Sequence, residues 1–572
     1  MAGWWRLRGK KLRARYRLES AIAALPYANE RWMMDVGRED RAAISAFRSA
    51  GVVPSICVHL HISADDEPTL VRKALKSAMK QSARPSRVFI TSSGGIDRHS
   101  VRWDNCGVLP GSFLNRMAGF QAALAASRDL GADYLVPLAP NGSLPRHALA
   151  GYAAFNIGKR DGPLPLLFSD QQAPTVDGAM PWLKPLWDPR MILSQDYVSV
   201  ACALPVRISL ACMERNDAVP PESIYELVLR ITLPAETDTP VHHVQRIGMR
   251  TAAGDWLRNG KEKLRAIRRV VGSDATASSG PYGTVKLRWP MPQPSPKVSV
   301  IVATRDAVEL LRTCVNGVLH ETDYPDIELI IADNDSREAE TLDYMERAQA
   351  DPRVQVVRWP HPFNYSAINN FAARSATGKY LCLLNNDIEV IEPEWLSEMV
   401  REAEQPGVGA VGARLLYPDR SIQHAGVAIG IGNAAGHAHR GLGHEDPGYY
   451  AQALIARGAS AVTGACLLVA KRHFEAVGGL DEDKLAVAYN DVDLCLKLRE
   501  LGLANIYTPA STLIHHESKS RGLDFAPEQI ERYMRELKVL KERWRTVQAV
   551  DPWHHPMLDR SSETYRTPSA RP

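Results

Sequence analysis

Four side chains in the second half of the sequence combine the types needed to hold a charged ligand and to move a proton: Asp333, Asp387, Asp491 and His515. Asp333 closes the apolar run Ile327-Glu328-Leu329-Ile330-Ile331. Asp387 follows Tyr380-Leu381-Cys382-Leu383-Leu384 through Asn385 and Asn386, and His515 follows Thr512-Leu513-Ile514. Runs of this kind read as buried strands. In α/β sheets ligands bind outside the carboxyl ends of the strands, so acids at those ends face a shared crevice. Oxygen ligands there suit a divalent magnesium or manganese ion that also takes phosphate oxygens, so the expected ligand is a metal-diphosphate. Asp491 opens Asp491-Val492-Asp493-Leu494, whose apolar spacing predicts a helix, and an acid in its first turn favours the helix dipole.

The elements that must position these residues can be read around them. Val298-Ser299-Val300-Ile301-Val302-Ala303 is a β-branched run suited to a strand buried on both faces, and a helical pattern follows from Val308 to Leu319. The strand before Asp333, a helical Tyr365 to Ala376 and the strand before Asn385 continue the alternation. That order predicts an α/β fold with a mostly parallel sheet and helices on both faces.

The first half repeats the plan. Pro54-Ser55-Ile56-Cys57-Val58 answers the strand at Val298, Val88-Phe89-Ile90-Thr91-Ser92 answers the one ending in Asp333, and Tyr134 to Leu138 answers Tyr380 to Leu384. Tyr225 to Arg230 answers Val492 to Lys497. Two tandem copies are the economical reading. The chemistry is not repeated: Ser92 aligns with Asp333, Ala139-Pro140-Asn141 with Asn385-Asn386-Asp387, and Ile224 with Asp491. His242 and His243 follow Ile224 too closely to match His515, 24 positions beyond Asp491. The first copy is expected to keep the fold without the reaction.

Composition bounds the rest. A chain of 572 residues that is 45% hydrophobic can bury more than one core, and a net charge of +4 offers no argument for a nucleic-acid partner. Eight scattered cysteines without CxxC spacing read as reduced, buried thiols. No membrane span or secretory signal is evident, so the expected location is cytoplasmic. Residues 1–17 place Trp4 and Trp5 before seven basic residues with no acid, a pattern that suits either a peripheral contact with an anionic inner-membrane surface or a solvated tail.

Val298 to Asp306, Ile330 to Ser336, Leu383 to Asp387, Tyr489 to Asp493 and His515-His516-Glu517-Ser518 together resemble the successive motifs of glycosyltransferase family 2. The resemblance covers Lys297 to about Trp544 well and about Pro54 to Arg250 weakly. Within the family it is nearest to bacterial enzymes that extend surface polysaccharides. It implies two GT-A-like (Rossmann-like) domains, the second catalytic, and a nucleoside diphosphate sugar donor. It also implies a divalent metal, manganese or magnesium, and a glycan or lipid-linked acceptor. By the same resemblance Asp491 is the general base, and Asp387 and His515 are metal ligands. Thr304, Arg305, Asp306, Asp333, Asn370, Asn385 and Asn386 line the nucleotide sugar, and Asp493, Lys519 and Arg521 lie on the acceptor or diphosphate side. The chain departs from the pattern at Asn385, where the metal motif has an acid, and at Asn490, which replaces a frequent Glu. Asp493 is open to a second role, orienting its helix.

The expected organisation is a basic helical segment at 1–50, a degenerate copy at 51–250, a linker at 251–296, a catalytic domain at 297–545 and a tail at 546–572. One base-assisted attack with no second nucleophile implies inversion. Gly426 to Gly443, rich in glycine and carrying His437 and His439, is expected to be a mobile lid. Two rivals stand beside this reading. A nucleotidyltransferase would need a glycine-rich phosphate loop that Thr304-Arg305-Asp306-Ala307 lacks. A non-catalytic glycan-binding or scaffold protein would not need all four chemical residues kept in one copy.

Overall fold

The structure is a computed structural model that describes residues 53–94, 105–155, 163–175, 178–214, 219–233, 239–252, 254, 259–432, 434–516 and 527–566. Residues 1–17, Lys519 and Arg521 lie outside the described residues. The chain divides into two compact units, the first running to residue 273 with 277–287 and 567–572, the second holding 274–276 and 288–566.

In the first unit the strands are β1 (Ile56–Ile62), β2 (Arg87–Ser92), β3 (Cys106–Val108), β4 (Tyr134–Leu138), β5 (Leu166–Thr175), β6 (Gly178–Trp182), β7 (Cys202–Pro205) and β8 (Val241–Arg250). Their order is β3-β2-β1-β4-β7-β5-β6, with β8 beside β5. In the second unit they include β9 (Val298–Thr304), β10 (Ile327–Asp333), β11 (Val354–Arg358), β12 (Tyr380–Asn385), β13 (Ile388–Val390), β14 (Val408–Leu416), β15 (Cys466–Ala470) and β16 (Ala504–His515), ordered β11-β10-β9-β12-β15-β14-β16-β13. The two sheets share one plan. Four parallel strands lead to an antiparallel one, β7 or β15, and the next strand, β5 or β14, carries a parallel partner, β8 or β16. Both sheets are therefore mixed and rich in parallel pairs.

Strand alternation sends Val298, Val300 and Val302 of β9 into one core with Leu311 and Trp395, while Ile301 enters a second core with Ile368 and Val492 on the other face. Helices thus cover both faces. Val308–His320 and Trp395–Ala403 lie on the first, Tyr365–Ser375 and Asn490–Glu500 on the second. Asn364 starts the helix at Tyr365 by accepting the Ala367 N–H at 2.9 Å.

Three expectations of the sequence reading change. The stretch 251–296 contains the helix Gly260–Val271, which buries Lys263, Ala266, Ile267 and Val271 at helical spacing; the prolines and serines beyond it hide that amphipathic pattern. In the expected tail Asp551, Leu558 and Tyr565 are buried, and Asp551 Oδ2 accepts the Ile429 N–H at 2.7 Å. The glycine-rich segment is no lid: Val427–Ile429 pairs with Ala435–His437 as a hairpin, and Ile431, Ala438 and His439 are buried. Gly430 and Gly432 adopt positive φ, 78° and 62°, at its turn, a conformation glycine takes readily.

Candidate functional site

At the ends of β9, β10 and β12 the sheet presents Thr304, Asp333 and Asn385. Thr304 pairs with Asp333 in register, and Ala303 with Asn385. Asp333 is fully buried; its Oδ1 accepts the Ser336 N–H at 3.0 Å and its Oδ2 meets Arg358 Nε at 3.2 Å. Arg358, on the neighbouring strand and 58% exposed, is a cation beside Asp333 that sequence reasoning missed. Asn386 is turned inward, donating from Nδ2 to Thr304 Oγ1 at 3.0 Å, so this pair fastens β9 to β12.

Asp306 also serves the loops. Its Oδ1 accepts the N–H groups of Arg337 at 2.7 Å and Glu338 at 3.0 Å, and those bonds, the Glu338 one foremost, hold its pKa below the usual carboxylate value. Arg305 beside it is exposed. Asn370 does not join the group. Its amide bonds both ways with Leu480, at 2.9 and 3.0 Å, and donates to Glu482 at 2.9 Å. It lines a cavity of about 540 Å³ with Lys471, Phe474 and Lys497, a cavity lined by none of Asp333, Asp387, Asp491 or His515.

β13 pairs antiparallel with β16, setting Ile388 opposite His515. The backbone N–H of His516 donates to the Asp387 carbonyl at 3.0 Å. This places His515 Nε2 at 3.0 Å from Asp387 Oδ1 and 3.2 Å from Asn385 Nδ2. The other ring nitrogen, Nδ1, lies 2.7 Å from Gln423 Oε1, an atom that only accepts. Nδ1 thus donates to Gln423, and Nε2 faces the Asp387 carboxylate oxygen and the Asn385 amide. A carboxylate and an imidazole nitrogen at that distance, both nearly buried, need a cation shared between them, a proton or a metal ion. The spacing also fits two adjacent ligands of an ion with metal–ligand bonds of about 2.1 Å. His516 points the other way and pairs with Glu389 at 2.7 Å, so it is outside this donor set.

Asp491 lies in the first turn of the helix Asn490–Glu500. Its Oδ2 accepts the Gly464 N–H at 2.8 Å and its Oδ1 the Val492 N–H at 2.8 Å. Burial raises its pKa above the ordinary Asp value, against the opposing hydrogen bonds from Gly464, Val492 and Thr463. Tyr365 bridges this group to the metal-type group. Its hydroxyl lies 3.0 Å from the Gly464 carbonyl and 3.3 Å from Asn385 Oδ1. His424 braces the same loop from behind: Nδ1 donates to the Ala413 carbonyl at 2.9 Å and Nε2 accepts the Thr463 N–H at 3.3 Å. Burial pushes its pKa down to about 4, which keeps it neutral.

Asp493, two residues on, faces away. It is fully buried, accepting from Arg543 Nη1 at 2.7 Å and Trp544 Nε1 at 2.8 Å. It anchors the helix Pro527–Trp544, which corrects the acceptor-side expectation, because its carboxylate is enclosed by protein donors. Cys466 is buried with its pKa pushed well up by burial, an inert thiol.

In the first unit the register sets other residue types at the corresponding strand ends. Ile62 pairs with Ser92 where Thr304 pairs with Asp333, and Leu138, the residue before Ala139, pairs with Leu60. His242 and His243 sit at the start of β8, pairing with Leu167 and Phe168, whereas His515 closes β16.

Residues 299–476 match the model of Glycosyl transferase family 2. The chain carries a family 2 glycosyltransferase domain. Asp491 and His515 fall beyond the matched span. Over 390 residues the chain is 38% identical to an uncharacterized protein, y4gI, of Sinorhizobium fredii, covering 66% of this chain and 43% of that protein. Over 440 residues it is 34% identical to the O-antigen biosynthesis protein RfbC of Myxococcus xanthus, covering 75% of this chain and 33% of that protein. The chain thus spans less than half the length of these two curated relatives. A mannosyltransferase from Pyrobaculum calidifontis, solved with GDP-Man and Mn2+, is 19% identical, with 47% of this chain and 69% of that one covered and a TM-score of 0.35. No helix among the described residues is long and apolar enough to cross a membrane.

Proposed function

We propose that this protein is an inverting, metal-dependent glycosyltransferase that moves a sugar from a nucleoside diphosphate sugar to a glycan or lipid-linked acceptor in surface-polysaccharide synthesis. The observation that carries this reading is the hydrogen-bonded chain from Asp387 and His515 through Asn385, Tyr365 and Gly464 to Asp491. Those residues lie in the unit containing the family match.

In the proposed reaction Asp333 and Arg358 receive the nucleoside at the end of β10. Asp387 and His515 would hold a manganese or magnesium ion, which would supply positive charge against the diphosphate leaving group. Asp491 takes the proton of the acceptor hydroxyl as the hydroxyl oxygen bonds to the anomeric carbon and the bond from that carbon to the diphosphate breaks. Its burial makes it a stronger base than an exposed Asp, matched to that task. Gly464 and Thr463 keep the carboxylate oriented, and Tyr365 links its position to that of Asn385. The first unit, lacking every acid of this set, serves the acceptor, a partner or a membrane rather than the donor.

The test is a panel of nucleotide sugars incubated with the full chain and manganese or magnesium, read by thermal stabilisation and donor hydrolysis. A bound donor stabilises by RT ln(1 + [L]/Kd), so even a slow substrate registers. A panel in which no donor stabilises the protein or is hydrolysed contradicts the reading.

A further inference from the structure

Tyr365 stands between two groups that the proposed reaction must use together. It is the first residue of the helix Tyr365–Ser375, so the Asn364 cap fixes the backbone from which its ring projects. Its hydroxyl lies 3.3 Å from Asn385 Oδ1 and 3.0 Å from the Gly464 carbonyl. The hydroxyl and the Asp491 carboxylate converge on Gly464: a Cβ at that residue would meet the hydroxyl oxygen at 3.6 Å and Asp491 Oδ2 at 3.8 Å. The backbone already holds the two segments together, because the Asn385 N–H donates to the Ala465 carbonyl at 3.0 Å.

The side chains on the far side of Asn385 cannot all be satisfied at once. His515 Nε2 has Asp387 Oδ1 at 3.0 Å and Asn385 Nδ2 at 3.2 Å. A bare Nε2 accepts from the Asn385 amide and opposes the carboxylate. An Nε2 that carries a proton or ligates a metal ion suits the carboxylate and opposes the amide N–H groups. Turning the Asn385 amide over removes that conflict, since it brings Oδ1 to the cation side and Nδ2 to Tyr365. A tyrosine hydroxyl has one proton to give. While Oδ1 faces it, Asn385 and Gly464 compete for that proton; once Nδ2 faces it, the proton goes to the Gly464 carbonyl.

We propose that Tyr365 is a positioning residue through which a cation held by Asp387 and His515 tightens the Gly464 loop that orients Asp491. This role rests on the metal and base roles proposed above and adds an order to them: the base is set once the cation is in place. By linkage the coupling runs both ways, so a tightened loop also favours the cation.

The experiment is hydrogen exchange of the full chain, with and without manganese and inorganic pyrophosphate, followed on peptides covering 461–466 and 508–515. In the parent both segments should exchange more slowly when the pair is added. In Tyr365→Phe, which keeps the ring, the slowing should persist around His515 and be lost at 461–466. Asn385→Ala should do the opposite at 461–466: with its rival acceptor gone, the Tyr365 proton goes to Gly464, and exchange is slow with or without manganese. Transfer by Tyr365→Phe should fall by about a hundredfold in kcat with donor KM little changed, as a misplaced rather than a missing base requires. Slowed exchange around His515 with 461–466 unaltered in the parent overturns this role and leaves the metal site standing. Equal slowing of 461–466 in the parent and Tyr365→Phe also overturns it. No change in either segment contradicts the metal-dependent reading itself, and this role with it.

Discussion

His515 Nε2 lies 3.0 Å from Asp387 Oδ1 while Gln423 holds the ring at Nδ1, so β16 and the turn after β12 together can offer one cation two ligands. Asp387→Ala and His515→Ala should each weaken metal-dependent donor binding, because the diphosphate charge is then less compensated. Titration of donor against manganese, followed by thermal shift, measures this. Full activity of both variants in chelator-treated buffer would sink the metal-dependent reading.

Gln423 should act through His515. Gln423→Leu removes the acceptor that fixes the imidazole tautomer, and partners of this kind commonly contribute about 10- to 100-fold in metal affinity. Manganese affinity should fall by that order while the unfolding temperature without metal changes little. An unaltered metal affinity would leave Gln423 a packing residue.

Asp493 should matter for stability and not for chemistry. Asp493→Ala leaves Trp544 without its buried acceptor and Arg543 with Asp481 alone, a loss on the order of 1 to 3 kcal/mol. Urea unfolding should show it, with donor hydrolysis retained by the folded fraction. Abolished hydrolysis in a variant of normal stability would return Asp493 to the acceptor side.

The pH dependence follows from Asp491. Its folded pKa is raised, so the folded state holds this proton more tightly than the unfolded chain, and its ionisation lowers stability as pH rises from the unfolded value through the folded one. Transfer needs the ionised form. The acid limb of transfer should therefore fall at a pH above that of an ordinary carboxylate, and stopped assays of transfer between pH 4 and 7 with donor saturated would show it. An acid limb at or below the ordinary Asp value removes Asp491 from that limb.

What the sequence made legible is what periodicity controls. The β-branched run of β9, the apolar runs before Asp333 and Asn385, and the repeat in the first half all reflect strands buried on both faces, and such strands leave continuous patterns. Asp333, Asp387 and His515 stand out at the ends of apolar runs, whereas Asp491 opens a helix and is singled out by its place in the motif order. Spacing alone could not separate Asp491 from Asp493. Two residues apart on a helix they point to different faces, but which face meets the crevice depends on Arg543 and Trp544, fifty positions away. Gln423, Tyr365 and Arg358 were missed for the same reason: each acts through tertiary neighbours, and none sits in a distinctive run. The glycines of 426–443 drew attention from the apolar residues between them, which are what bury the hairpin.

The most direct measurement of catalysis by the second unit compares Asp491→Asn with the parent chain, using whichever donor stabilises the protein in the nucleotide-sugar panel and an envelope glycan extract as acceptor. Donor-induced stabilisation should persist while transfer falls by about two to four orders of magnitude, the contribution of a positioned base. Transfer at the parental rate with donor binding intact would contradict it.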